Sequence, residues 1–279
     1  MACRIAVVGS INADLVVLMP KLPDRGETVT SSEPKWFPGG KGANQAVAAA
    51  RMGGIVCMVG AVGSDAPGEM CLAALKSSGV NAEYVLKTTA ATSTAIVMVE
   101  DSGENQIVVT DGANSAVEVD AELLASFDAV VAQFEIPEPA VLQAAKATKG
   151  IFIVNAAPVR PISEELSALI DVLIVNEHEF EQYGKPTQGL VIVTAGSKEV
   201  VAYQDGEVVA QCQPKKVEPV DTVGAGDTFV GAFAVAYAGG ETIQGSIERA
   251  CAAGALSTLK LGAQSGMPTS GAVDVFMQG

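Results

Sequence analysis

Six short apolar runs constrain this chain more than any other feature. They lie at residues 4–9, 55–60, 129–134, 151–154, 172–175 and 190–194. Each has the length of a strand buried on both faces. Helical stretches at 39–52, 67–77, 139–149 and 163–170 fall between them. Repeated strand, helix and strand predicts a parallel sheet with helices on both faces. The expected fold is α/β, three layers deep (α/β/α), with a mainly parallel central sheet. Of the 279 residues 49% are apolar, enough core for one large domain.

Two stretches do not fit that alternation. Residues 15–19 are apolar and extended, Pro20, Pro23 and Gly26 break the run, and 28–32 are β-prone before Trp36-Phe37. Residues 94–100 and 106–110 flank a turn at 101–105 and read as a hairpin. Such ribbons bury little alone. One small sheet built from 15–38 and 94–110 is expected to lie over something, as a lid or a dimer contact.

Polar residues gather where the apolar runs end. Asn12 and Asp14 follow the first, two apart, so an extended chain puts both on one face. Glu135, Asn155 and Asn176 follow three later runs. In open α/β sheets ligands bind at the carboxyl ends of strands, so these residues point to one crevice. A solvated turn is the plain alternative for Asn12 and Asp14. Gly39-Gly40-Lys41-Gly42-Ala43-Asn44-Gln45 opens an Ala-rich helix, and its glycines let another molecule approach the backbone.

Asp221-Thr222-Val223-Gly224-Ala225-Gly226-Asp227-Thr228-Phe229 repeats that design before helices at 227–238 and 241–260, followed by a loop at 262–268. A glycine turn opening a helix leaves unpaired N–H groups and positive dipole charge, which suit an anion. Asp227 stands at the mouth of that turn. It either caps the helix or takes a proton from a hydroxyl that attacks a phosphate.

A net charge of −15 argues against general nucleic-acid binding but not against a nucleotide ligand. No run is long enough to span a membrane, and the chain enters its first strand without a signal-peptide pattern. Five scattered cysteines read as reduced thiols in a cytoplasmic protein. There is no GxxxxGK[ST], no GxGxxG after the first strand and no GxSxG. The single histidine, His178, reads as a solvated residue of a short acidic helix.

Taken together, the 9–14, 39–46, 176–179 and 221–229 motifs resemble the ribokinase branch of the PfkB carbohydrate-kinase family, in that family's order and over residues 4–268. The resemblance implies a ribokinase-like fold, one PfkB-type kinase domain over 1–279, and ATP-dependent phosphorylation of D-ribose at its 5-hydroxyl. It implies Asp227 as the base and Gly224, Ala225 and Gly226 as the anion hole. Asn12, Asp14, Gly39, Gly40, Lys41, Asn44 and Glu135 would hold the sugar. Asn176 and Glu179 would serve the magnesium–phosphate region, with Thr194, Gly196, Gly226 and Cys251 on the nucleotide side. Asp221 and Val223, with carbonyls near Ser257 and Gly262, would surround a potassium ion (K+), beside the Mg2+ of the nucleotide. The lid ribbons would pair two subunits into a homodimer.

Two departures from the family pattern stand out. Cys251 occupies a position where the family usually has Asn, and the segment from Glu179 to Leu190 is much shorter than in the family. A crossover between parallel strands takes about a dozen residues, usually with a full helix. A nucleotide-side helix is therefore expected to be cut short. Two other readings stay open, a kinase of the same family for another sugar or a nucleoside, and a sugar- or nucleotide-binding regulator without catalysis.

Overall fold

The computed structural model describes every residue except Met1, Ser32, Gly103 and 185–188. Its first half runs β1 (Arg4–Val8), β2 (Asn12–Met19), β3 (Lys35–Gly39), α1 (Lys41–Arg51), β4 (Ile55–Gly63), α2 (Ala66–Ser77) and β5 (Asn81–Thr88). Then come β6 (Ser93–Glu100), β7 (Asn105–Val109), a 3-10 turn (Gly112–Ala116), α3 (Ala121–Leu124), β8 (Ala129–Gln133) and α4 (Glu138–Ala147). Next are β9 (Ile151–Asn155), α5 (Glu164–Ser167), β10 (Val172–Asn176), α6 (Glu177–Tyr183), β11 (Leu190–Thr194), β12 (Val200–Gln204) and β13 (Glu207–Cys212). Four helices end the chain, α7 (Ala225–Ala238), α8 (Ile243–Ser257), α9 (Ala263–Gly266) and α10 (Ser270–Gln278).

The central sheet has nine strands in the order β13-β12-β11-β10-β9-β8-β1-β4-β5. From β11 to β5 the pairs are parallel, and β12 and β13 add an antiparallel edge. One apolar core packs α1, α7 and α8 on one face, with Ile5, Val7, Phe233 and Ile247 at its centre. A second core packs α4 and its neighbours on the other, around Val8, Leu124, Phe152 and Leu166. This is the expected α/β/α arrangement. Strand order reverses at β1, which has β4 on one side and β8 on the other. The crevice outside the carboxyl end of β1 is thus the natural ligand position.

The second sheet has four strands in the order β3-β2-β6-β7. Both expected ribbons contribute to it, and β2 joins them by pairing parallel with β6. Its root lies at the crevice, because β2 starts at Asn12, just past the end of β1. Trp36, Ile107, Val108 and Val109 are 45–55% exposed on this sheet.

Several expectations need correction. Residues 28–31 form no strand, since Lys21, Asp24 and Glu27 close a charged turn just before them. Ser32 of that stretch, and Gly103 of the 101–105 turn, lie outside the described residues. The helix expected over 163–170 is only α5, because the chain tightens when Leu169 N–H bonds back to Leu166 O at 3.0 Å. The loop at 262–268 contains the short helix α9. Strand β5 and helix α10 are additions: β5 is half-exposed and carries Glu83 and Lys87, so its apolar signal is weak.

Candidate active site

Glycine geometry brings three motifs into contact at the crevice. Gly40 has φ +89°, and a Cβ there would stand 2.7 Å from the Asn12 nitrogen. Only glycine lets the start of α1 lie against the root of β2. Gly224 caps α7 in the left-handed region at φ 79°. A Cβ on Gly226, two residues on, would meet nothing within 4 Å, so the turn borders open space. The Ala225 N–H turns back to Thr222 O at 3.2 Å. Among the described residues no backbone acceptor takes the Gly226 or Asp227 N–H, so these two are the free donors of the turn.

Asp227 sits in the first turn of α7 and is buried. It does not cap its own helix, since no side-chain bond caps α7. Its Oδ2 accepts from Asn44 Nδ2 at 2.9 Å and its Oδ1 from Gln45 Nε2 at 3.0 Å, both from α1. Burial pushes its pKa up, while Lys41 and these two amide donors hold it down. Burial also works against the Lys41 charge, but Asp227, Glu135 and Glu179 keep that ammonium above its ordinary range. The result is a buried carboxyl group beside a cation and near helix N–H groups that take no backbone acceptor among the described residues. Such a group can accept a proton from a hydroxyl while the N–H groups receive an anion.

The residues expected to hold the sugar meet around the same point. Glu135 Oε2 accepts from Ser10 Oγ at 2.6 Å and from the Lys41 N–H at 3.1 Å. Asn12 is buried, and its Oδ1 accepts from Asn114 Nδ2 at 2.7 Å. Asp14 lies against Gly39, where a Cβ would fall 2.2 Å from its Oδ2. Burial, with Glu135 and Asp227 nearby, raises Asp14 to about 7. Four amide side chains that sequence patterns did not single out as site residues complete the cluster: Asn114, Gln45, Gln133 and Gln264. Gln45 lay inside the 39–46 motif without a role of its own; the other three had only their position, at or near strand and helix ends.

Asn176 and Glu179 form a capping box. Asn176 Oδ1 accepts from the Glu179 N–H and Glu179 Oε2 from the Asn176 N–H, both at 2.8 Å. Their first role is therefore to start α6. His178 is exposed and its ring bonds Gln182 within the same helix. Thr194 ends β11 beside Asn176, and Gly196 is exposed with φ +60°. Helix α6 has seven residues, as expected of a shortened crossover; 185–188 of that crossover lie outside the described residues. Cys251 is buried in α8 and lines a cavity of about 340 Å3 with Cys212, Pro214, Lys215 and Met277.

The Asp221 carboxylate ties two loops together. Its Oδ1 accepts from the Val223 N–H at 2.9 Å and its Oδ2 from the Gly262 N–H at 2.8 Å. The Asp221 N–H in turn bonds Thr258 O, next to Ser257, at 3.1 Å. Asp221 thus joins the loop at Val223, the loop at Gly262 and the end of α8 beside Ser257, the segments expected around a cation. Among the described residues no cluster of three or more His, Cys, Asp and Glu side chains could hold a metal. No helix there is long and apolar enough to cross a membrane.

The sequence profile of the pfkB family carbohydrate kinases matches residues 3–270. Ribokinase of Bacillus subtilis is 40% identical over 291 aligned positions, covering 98% of this chain and 99% of that protein. Those positions outnumber the residues here, so that relative carries stretches this chain lacks. Ribokinase of Lactococcus lactis is 38% identical over 95% of this chain and 94% of its own length. The crystal structure of Thermotoga maritima ribokinase superposes with a TM-score of 0.93 at 33% identity, covering 99% of this chain and all of the other. Arabidopsis thaliana ribokinase complexed with ribose and ATP gives 0.91 at 34% identity, with both chains fully covered. Profile, relatives and fold agree with the motifs in the crevice: this chain belongs to the pfkB family of carbohydrate kinases.

Proposed function

We propose that this protein transfers the γ-phosphoryl group of ATP to the 5-hydroxyl of D-ribose. The observation that carries the reading is Asp227, a buried carboxylate held by Asn44 and Gln45 beside unpaired N–H groups. Asp227 takes the proton of the 5-hydroxyl as its oxygen attacks phosphorus. The Gly226 and Asp227 N–H groups, with the Gly224-Ala225-Gly226 turn and its helix dipole, receive the charge that develops on the transferring phosphoryl oxygens. Asn12, Asp14, Gly39, Gly40, Lys41, Asn44 and Glu135 bind and orient the sugar, because adjacent hydroxyls need both donors and acceptors.

Asn176 and Glu179 serve the phosphate end of the nucleotide, with Thr194, Gly196 and Cys251 farther along it. Magnesium would ride mainly on phosphate oxygens and water, as it commonly does where few protein ligands converge. Potassium would be held by Asp221 with carbonyls at Val223, Ser257 and Gly262, adding positive charge near the anion turn. The four-stranded sheet at 15–38 and 94–110 acts as the lid of the single domain over 1–279 and excludes water. Its exposed Trp36, Ile107, Val108 and Val109 are the surface through which two copies would pair as a homodimer. A cytoplasmic setting fits the five free thiols.

A coupled assay of ADP release over pentoses, hexoses and nucleosides tests the reading, with Asp227→Asn as control. Ribose should give the highest kcat/KM. A preference for a nucleoside or hexose would displace ribose as substrate while leaving the chemistry in place.

A further inference from the structure

Three side-chain amides form a chain that ends on Asp227. Asn155 Nδ2 donates to Ile174 O at 3.2 Å. A backbone carbonyl only accepts, so this bond decides which way the Asn155 amide faces. Its Oδ1 then accepts from Gln45 Nε2 at 3.0 Å. The same nitrogen gives its second hydrogen to Asp227 Oδ1 at 3.0 Å. Gln45 Oε1 accepts from Gln133 Nε2 at 2.6 Å. The Asn155 and Asp227 contacts each have one permitted polarity, so Gln45 has a single orientation, nitrogen toward the carboxylate, and the Gln133 donor complements it.

That orientation is kept at a cost to the fold. Gln45 and Gln133 are fully buried, yet among the described residues Gln133 Oε1 has no hydrogen-bond partner. It faces Gly9, where an added Cβ would stand only 2.0 Å away. A buried acceptor without a donor is destabilising. Turning the Gln133 amide over would not relieve it, because two amide oxygens would then face each other at Gln45. A side chain present for packing alone would be better as an apolar isostere.

We propose that Gln133 and Asn155 are positioning residues that lock Gln45 as the donor holding and aiming the Asp227 carboxylate. The proposal rests on the reading of Asp227 as base. The charged groups facing Asp227 are Lys41 from α1, Glu135 from the segment after β8, and Asp14 from β2. Asn44, on the other carboxylate oxygen, is fixed separately by Gln264 Nε2 at 3.1 Å. Without Asn155 the Gln45 amide can turn its oxygen to Asp227, and without Gln133 it is held by Asn155 alone; in both cases the protonated acid gains over the carboxylate, more in the first.

Carbon-13 NMR of carboxyl-labelled aspartates tests this directly. The Asp227 signal is assigned by its loss in Asp227→Asn, and that of Asp14 by its loss in Asp14→Asn. In Gln45→Met the Asp227 titration should move up by about one pH unit, the worth of one charge-assisted hydrogen bond. Gln133→Met and Asn155→Leu should move it the same way by less. Gln133→Met should melt no lower than wild type, since it removes the unpaired oxygen. An unmoved Asp227 titration in Gln133→Met and Asn155→Leu would overturn the proposal, as would a lower melting temperature of Gln133→Met with that titration unchanged. Activity is scored separately: near wild-type turnover by Asp227→Asn would overturn the base reading, and with it any positioning role.

Discussion

Asn44 and Asp227, 183 positions apart in the chain, meet through a hydrogen bond of 2.9 Å from Nδ2 to Oδ2. One residue lies in the first turn of α1 and the other in the first turn of α7, so this contact, with the Gln45 bond to the same carboxylate, locks the two glycine turns to each other. Replacing the carboxylate by its amide keeps the shape but removes the proton acceptor. Asp227→Asn should therefore lower kcat by at least ~10²-fold, within the usual range for a lost general base. Circular dichroism should show the fold intact. Near wild-type phosphorylation of ribose would mean that another group takes the proton.

Asp14 should couple sugar binding to pH. Its pKa is raised from 3.8 to about 7 by burial, then by Glu135 and Asp227. Between those two values the folded chain holds a proton that the unfolded chain has lost. Stability must then fall as pH rises through that window, and the cost is fully present above it. Asp14→Asn removes the cost, so its melting temperature should exceed wild type at pH 8 and match it near pH 4. The gain is on the order of 2–4 kcal/mol at most. Function should move oppositely, with ribose KM rising about tenfold to a hundredfold as a charged partner is lost. Equal melting curves for the two proteins at pH 8 would show Asp14 to be solvated.

The α/β/α fold follows from its sequence because parallel strands buried on both faces leave an unmistakable apolar record, as at 129–133 and 190–194. Edge strand β5 left none, its exposed face being charged. In the site, glycines and carboxylates were readable because few other residues open a helix at positive φ or sit charged at a strand end. Gln133 and Asn114 were not: a lone amide becomes informative only when its partners, at Gln45 and Asn12, are known across 88 and 102 positions. Asn176 and Glu179 matched a motif, but their spacing of three is equally that of a capping box, which the structure contains.

That double fit gives a separating experiment. Asn176→Ala should lose the cap, at about 1 kcal/mol, and lower the melting temperature by a few degrees. Asn176→Asp keeps an oxygen for the Glu179 N–H and should melt like wild type. It also sets a negative charge beside the proposed phosphate region, so ATP KM should rise severalfold. An unchanged ATP KM in a stable Asn176→Asp protein would reduce the motif to a helix start.

The nucleotide base should be held less well than the phosphates. The Gly224–Asp227 turn and the Asn176 and Glu179 positions proposed for the phosphates are all present. On the other side α6 is only seven residues long, and its Phe180 ring is already stacked on Tyr203 of β12 at 5.8 Å. Cys251 presents a buried thiol where the family usually offers an amide. The loss of one neutral hydrogen bond and some apolar cover there would cost on the order of 1–3 kcal/mol. That corresponds to about tenfold to a hundredfold weaker binding. ATP affinity should be modest, and GTP, CTP and UTP should be accepted at comparable kcat/KM under saturating ribose. Cys251→Asn should lower the ATP KM and widen the gap between ATP and GTP. Strong preference of the wild-type protein for ATP at low micromolar KM would mean that the short crossover closes the base pocket after all.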